Sequence, residues 1–96
     1  MNVKLIRMSS GEDVVANLIE EKEGSLVLEE PIVAVPAGNG QLGFAPWSPL
    51  LSASQKELEV SRQFVVYIAE VQEDVVEQYE KMFATVKTPP KKKLIL

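Results

Sequence analysis

The stretch Val3–Pro36 constrains this chain more than any other. It holds three runs rich in Val, Leu and Ile: Asn2–Met8, Asp13–Glu20 and Ser25–Val35. Between them lie Ser9-Ser10-Gly11-Glu12 and Glu21-Lys22-Glu23-Gly24. Short β-branched runs joined by Gly-containing connectors are the pattern of consecutive hairpins, so a three-strand meander is expected. Pro31 interrupts the third run. It has no N–H to give a ladder, which predicts a bend or bulge there. In the first run Val3 and Leu5 share one face while Ile6 and Met8 take the other, so both faces of this strand need cover. A meander that ends in a long bent strand is how a short chain curls into a small barrel.

Beyond the meander, Pro36-Ala37-Gly38-Asn39-Gly40 breaks the pattern. Gln41–Trp47 is strand-like, but Gly43 and Pro46 restrict it to an edge or an extended loop. Phe44 and Trp47 in this stretch are either a base-stacking platform or filling for a core or subunit contact. Leu58 and Val60 alternate with Glu57, Glu59 and Ser61, the pattern of a half-exposed strand. Arg62-Gln63 then leads into Phe64–Val71, a run apolar on both faces that predicts burial on both sides. The period next changes. Val75, Val76, Tyr79, Met82, Phe83 and Val86 make the stripe of an amphipathic helix. Asp74 and Glu77 have the spacing of a capping box, and Thr88-Pro89-Pro90 ends the helix. The expected division is a barrel with its helix over residues 1–88 and a basic, mobile tail over residues 89–96.

Composition narrows the chemistry. A chain of 96 residues has room for one core. Cys and His are both absent, so there are no thiolate ligands, no disulfides and no imidazole base. No catalytic, metal-binding or cofactor-binding residues are therefore assigned. Glu20, Glu21 and Glu23 surround the second turn, as a hard-cation cluster or as a solvated hairpin tip. Glu29 and Glu30 are neighbours on a strand, point to opposite faces and cannot share a substrate. No run reaches the roughly 18 apolar residues of a membrane span, and Asn2-Val3-Lys4-Leu5 does not read as a signal peptide; a cytoplasmic protein is expected. Residues 1–86 hold six basic and fourteen acidic side chains, whereas residues 87–96 hold four lysines and no acid. An acidic body repels phosphate at long range, so any nucleic-acid contact has to be local or come from the tail.

Two segments resemble the Sm/LSm family, the ring-forming RNA-binding proteins that include bacterial Hfq. Val3-Lys4-Leu5-Ile6-Arg7-Met8-Ser9-Ser10-Gly11-Glu12-Asp13-Val14-Val15-Ala16-Asn17-Leu18, followed by Leu26-Val27-Leu28-Glu29-Glu30, is similar to the first family motif. Ser61-Arg62-Gln63-Phe64-Val65-Val66-Tyr67-Ile68 is similar to the Ile-Arg-Gly-x-x-Val-x-x-Ile element. Together they cover about half of the chain. With its final helix and acidic body, the arrangement also resembles Sm-like proteins of tailed phages. The departures are specific. The loop Glu21–Ser25 lacks the Asn and the aromatic or Asp of family RNA pockets, and Gln63 stands where the family has Gly. The family helix comes first, whereas here it comes last.

The resemblance implies an all-β, five-stranded antiparallel Sm-like open barrel with one C-terminal helix. It also implies a non-enzymatic homo-oligomeric ring that binds RNA or, alternatively, DNA. A ring of roughly five to seven subunits joined by strand edges is expected, with Leu58, Val60, Phe64, Val66 and Ile68 at the interface. Arg62, Gln63, Lys22 and Ser25 are the candidate nucleic-acid contacts, and Lys91, Lys92 and Lys93 add a diffuse attraction. Arg62 has an alternative role, as an ion-pair partner of Glu59 or Glu70. The competing function is an acidic adaptor or structural ring, of the phage type, that meets a basic protein partner.

Overall fold

The architecture comes from a computed structural model that describes residues 1–87, and the side chains of residues 1–83. The strands are β1 (Val3–Met8), β2 (Asp13–Glu21), β3 (Ser25–Pro36), β4 (Leu42–Pro46), β5 (Glu57–Ser61) and β6 (Val65–Glu70). A single 3-10 turn, Arg62–Phe64, joins β5 to β6, and the helix α1 spans Glu73–Lys87. All strands belong to one antiparallel sheet, in which β1 pairs with β2 and β6. The third strand pairs with β2 along one side; along its other side the first half takes β5 and the second half takes β4. The sheet is open. Among the described residues no ladder joins β5 to β6, although only one turn separates them.

The expected bend at Pro31 is present and is a two-against-one bulge. Asn17 faces Glu29 and Val15 faces Ile32, so Ala16 on β2 lies opposite both Glu30 and Pro31 on β3. Glu30 takes a left-handed φ of 52°, an uncommon backbone state for a residue with a Cβ. The bulge interrupts the ladder and leaves polar backbone groups in need of partners. Tyr79 of α1 supplies them. Its hydroxyl accepts from the Asn17 N–H at 3.0 Å, and its own proton is shared between the carbonyls of Glu29 (2.8 Å) and Glu30 (3.0 Å). Tyr79 is 1% exposed, and its burial pushes the phenol pKa well above the ordinary value.

Two apolar clusters occupy the two faces of the sheet. Ile6, Met8, Val14, Ala16, Leu18, Leu26 and Leu28 form the first, with Val60, Val65 and Ile68 packed at its border. Val3, Val15, Ile32 and Tyr79 form the second, which the helix covers through Val75, Val76 and Phe83. The two-faced pattern of β1 sorts as expected: Val3 and Leu5 go with the helix cluster, Ile6 and Met8 with the other.

Several expectations need correction. Gln41–Trp47 takes the edge alternative, as the edge strand Leu42–Pro46, and with it counted the sheet has six strands among the described residues where five were expected. Phe64 belongs to the turn, and the strand after it is not covered on both sides: Phe64 is 51% and Val66 60% exposed. The cause is topological, since among the described residues β6 has β1 on one side and no strand on the other. Asp74 does not cap the helix. Gln72 O accepts from the N–H groups of Val75 and Val76, which places Asp74 inside the first turn. Its carboxylate accepts from Val75 N–H at 2.9 Å, and with Glu73 it still sits at the positive end of the helix. Met82, expected within the buried stripe, is 40% exposed. The expected tail and Lys91–Lys93 lie outside the described residues. Among the described residues no helix is long and apolar enough to cross a membrane.

Candidate nucleic-acid interface

The tip of the β2–β3 hairpin and the turn after β5 come together because β5 pairs with the first half of β3. That ladder sets Ser61 opposite Ser25 and Val60 opposite Leu26. At its end the Arg62 N–H donates to Gly24 O at 3.0 Å, which fastens the 3-10 turn to the hairpin tip. Within the tip, Lys22 N–H donates to Ser25 O at 2.8 Å and closes the hairpin. Arg62, Lys22 and Ser25, which come from separate parts of the sequence, are therefore neighbours in space. Gln63 is exposed beside Arg62 in the same turn.

The charges in this corner are not open. Arg62 Nη2 donates to Glu21 Oε1 at 2.9 Å, and its Nε reaches Lys22 O at 3.4 Å. Lys22 Nζ lies 3.4 Å from Glu59 Oε2, and the Ser25 hydroxyl donates to the same oxygen at 2.5 Å. The Ser25 hydrogen bond foremost, then the charge of Lys22, holds the Glu59 carboxyl below the usual carboxylate range. The expected partners of Arg62, Glu59 and Glu70, are both otherwise engaged: Glu59 with Lys22, and Glu70 with Lys4. These are exposed pairs, which hold weakly and open to a competing anion at little cost. No family model matches the chain, and no curated protein does either.

The candidate interface residues separate into two groups. Val60 and Ile68 border the first cluster, and Leu58 is half-buried opposite Leu28. Phe64 and Val66 present apolar surface to solvent. Phe44 and Trp47 do not form a common platform: Phe44 packs with the helix cluster and Trp47 with the other. The Trp47 indole N–H donates to Glu12 Oε1 at 3.1 Å, fixing the chain after β4 to the β1–β2 turn. The acids of the β2–β3 tip are exposed, and among the described residues no group of three or more metal-ligating side chains converges.

Glu21 and Glu59 are the members of the corner that the sequence alone does not place. The alternation of β5 puts Glu57, Glu59 and Ser61 on one side, but only the β3–β5 register shows that this side faces Ser25 and Lys22.

Proposed function

We propose that the protein is a non-enzymatic, Sm-like ring subunit that binds nucleic acid, with single-stranded RNA ahead of DNA. One observation carries the reading. Among the described residues, the turn Arg62–Phe64 lies between two strands that each have one unpaired edge, and the same turn holds Arg62 against Lys22 and Gly24. Unpaired edges invite strand pairing with another chain, and head-to-tail pairing of β6 with a neighbour's β5 closes when the rotation permits. Exposed Val66 and Phe64 supply the apolar contact such a joint needs. Every subunit would then bring its Arg62 corner to one rim, where weak single contacts are multiplied. Arg62 and Lys22 would exchange their carboxylate partners for phosphate, Gln63 and Ser25 would hydrogen-bond bases or phosphates, and Lys91–Lys93 would add sequence-blind attraction.

The acidic adaptor reading has its own support. Four of the six basic side chains in residues 1–86, Lys4, Arg7, Lys22 and Arg62, already face carboxylates. A basic protein partner would meet such a surface more readily than RNA would.

Light scattering and filter binding separate the two functions. The ring reading expects a multimer at micromolar concentration that Val66→Asp dissociates, because a carboxylate at the joint would be stripped of its water. The RNA reading expects retention of short U-rich or A-rich RNA at low salt, weakened by Arg62→Ala. Deleting residues 91–96 should flatten the salt slope by about 0.7 for each phosphate no longer neutralised. A multimer that retains no RNA at low salt leaves the adaptor.

A further inference from the structure

Among the described residues β3 is the only strand that pairs with β4, so β4 has a free edge. The ladder fixes which groups that edge presents. Ala37 N–H donates to Gln41 O, and Trp47 N–H donates to Pro31 O, both at 3.0 Å. Bonded positions alternate along an antiparallel pair, so Gly43 and Ala45 also turn their backbone groups to β3. Leu42, Phe44 and Pro46 turn theirs away. The edge therefore offers the N–H and C=O of Leu42 and, about 7 Å further on, those of Phe44. Pro46 adds a carbonyl alone.

Edge strands are ordinarily protected from further pairing by charge. Glu57 and Glu59 do this on β5, and Glu70 on β6. β4 has no charged residue, and Leu42 is 64% exposed. A groove of about 410 Å³ lies between β4 and the start of α1. Leu42, Phe44 and Val75 supply its apolar lining, and Asp74 is its one charged side chain. The side-chain amides of Gln41, Gln72 and Gln78 line it too, and among the described residues no hydrogen bond engages them. Each can donate to a carbonyl and accept from an N–H. Unpaired strand groups facing uncommitted amides suit an extended peptide, and a carboxylate with no cation beside it favours a basic one over a phosphate chain.

We propose that β4 takes up an extended, basic segment of a partner protein as a further strand of the sheet. Alternate side chains of that segment pack on Leu42, Phe44 and Val75, and a lysine or arginine meets Asp74. The site uses neither the β5–β6 rim nor the Arg62 corner, so it stands or falls apart from RNA binding.

A fluorescein-labelled octapeptide of alternating Val and Lys is the probe, titrated with the full chain and read by fluorescence anisotropy. The same peptide methylated at every backbone nitrogen keeps its charge but cannot donate to a strand edge. It should bind about tenfold more weakly. Leu42→Pro, which removes an outward N–H and no bond to β3, should loosen the parent peptide to a similar extent. Asp74→Asn should loosen it about threefold. In amide NMR the parent peptide should shift Leu42 and Phe44. If Leu42→Pro does not fold, the methylated peptide, Asp74→Asn and the amide shifts decide. Equal binding of the two peptides would overturn the proposal, because it would leave only attraction to the acidic body. No binding at millimolar concentration, or shifts confined to the β5–β6 rim, would also overturn it. So would a folded Leu42→Pro chain that scatters as a smaller particle than the parent protein, which would assign the edge to a second copy.

Discussion

The β1–β3 meander and the β5–turn–β6 rim are built from the same residue types and meet different fates. In the meander Ile6, Val14, Leu26 and Leu28 are fully buried. On the rim Phe64, Val66 and Tyr67 remain exposed. Hydrophobicity does not distinguish them. What differs is the supply of neighbours, since among the described residues β2 has a strand on each side while β5 and β6 each have one. An apolar run states that cover is required, and topology decides whether the same chain provides it.

The sharpest way to break this contrast is to truncate one side chain on each side of it. Leu28→Ala should cost about 2–5 kcal/mol in denaturant unfolding of the chain, because it empties a packed site. Val66→Ala should cost less than about 0.5 kcal/mol when measured in dilute, dissociated protein. Equal costs would mean that the rim is part of the core. Next in size is Tyr79→Phe, which keeps the ring and removes the hydroxyl. Asn17 N–H and the Glu29 and Glu30 carbonyls are then left without their common partner, at a cost of about 1–3 kcal/mol. A neutral result would mean that water takes the place of the hydroxyl at the bulge. The smallest effect concerns Glu59. Its carboxyl is held below the ordinary range, so its contribution to stability is present above the unfolded-state pKa and fades as pH falls through the folded-state value. Ser25→Ala should move the Glu59 carboxyl resonance in an NMR titration to higher pH; an unmoved midpoint would remove Ser25 as the main cause.

Much of this layout is legible in the residues. The Gly-bearing connectors mark the two hairpins, and the sides of Val3, Leu5, Ile6 and Met8 follow from strand alternation alone. Pro31 announces the bend but not what repairs it, because Tyr79 lies 50 positions from Glu29 on a helix that shows only an apolar period. Leu42–Pro46 is obscured by its Gly and Pro, whose effect depends on which strand edge they occupy. Arg62, Lys22 and Ser25 are recognisable as residue types in turns. Their carboxylate partners are not, since ion pairs across strands depend on register, and the two irregularities in the β2–β3 ladder make register hard to count from sequence.

The seam between Trp47 and Glu12 bears on how this protein reports its own unfolding. The chain has one tryptophan, bordering the first cluster and tied to the β1–β2 turn, with no share in the helix cluster. Its emission is thus a local gauge of whether the segment after β4 stays against the curled sheet. Ellipticity at about 222 nm instead follows α1, which is held by Tyr79 on the opposite face. Two spectroscopic signals from one sample therefore watch two different faces. If they trace a single curve with denaturant, the sheet transmits order from one face to the other; if they separate, the fold loosens in two steps.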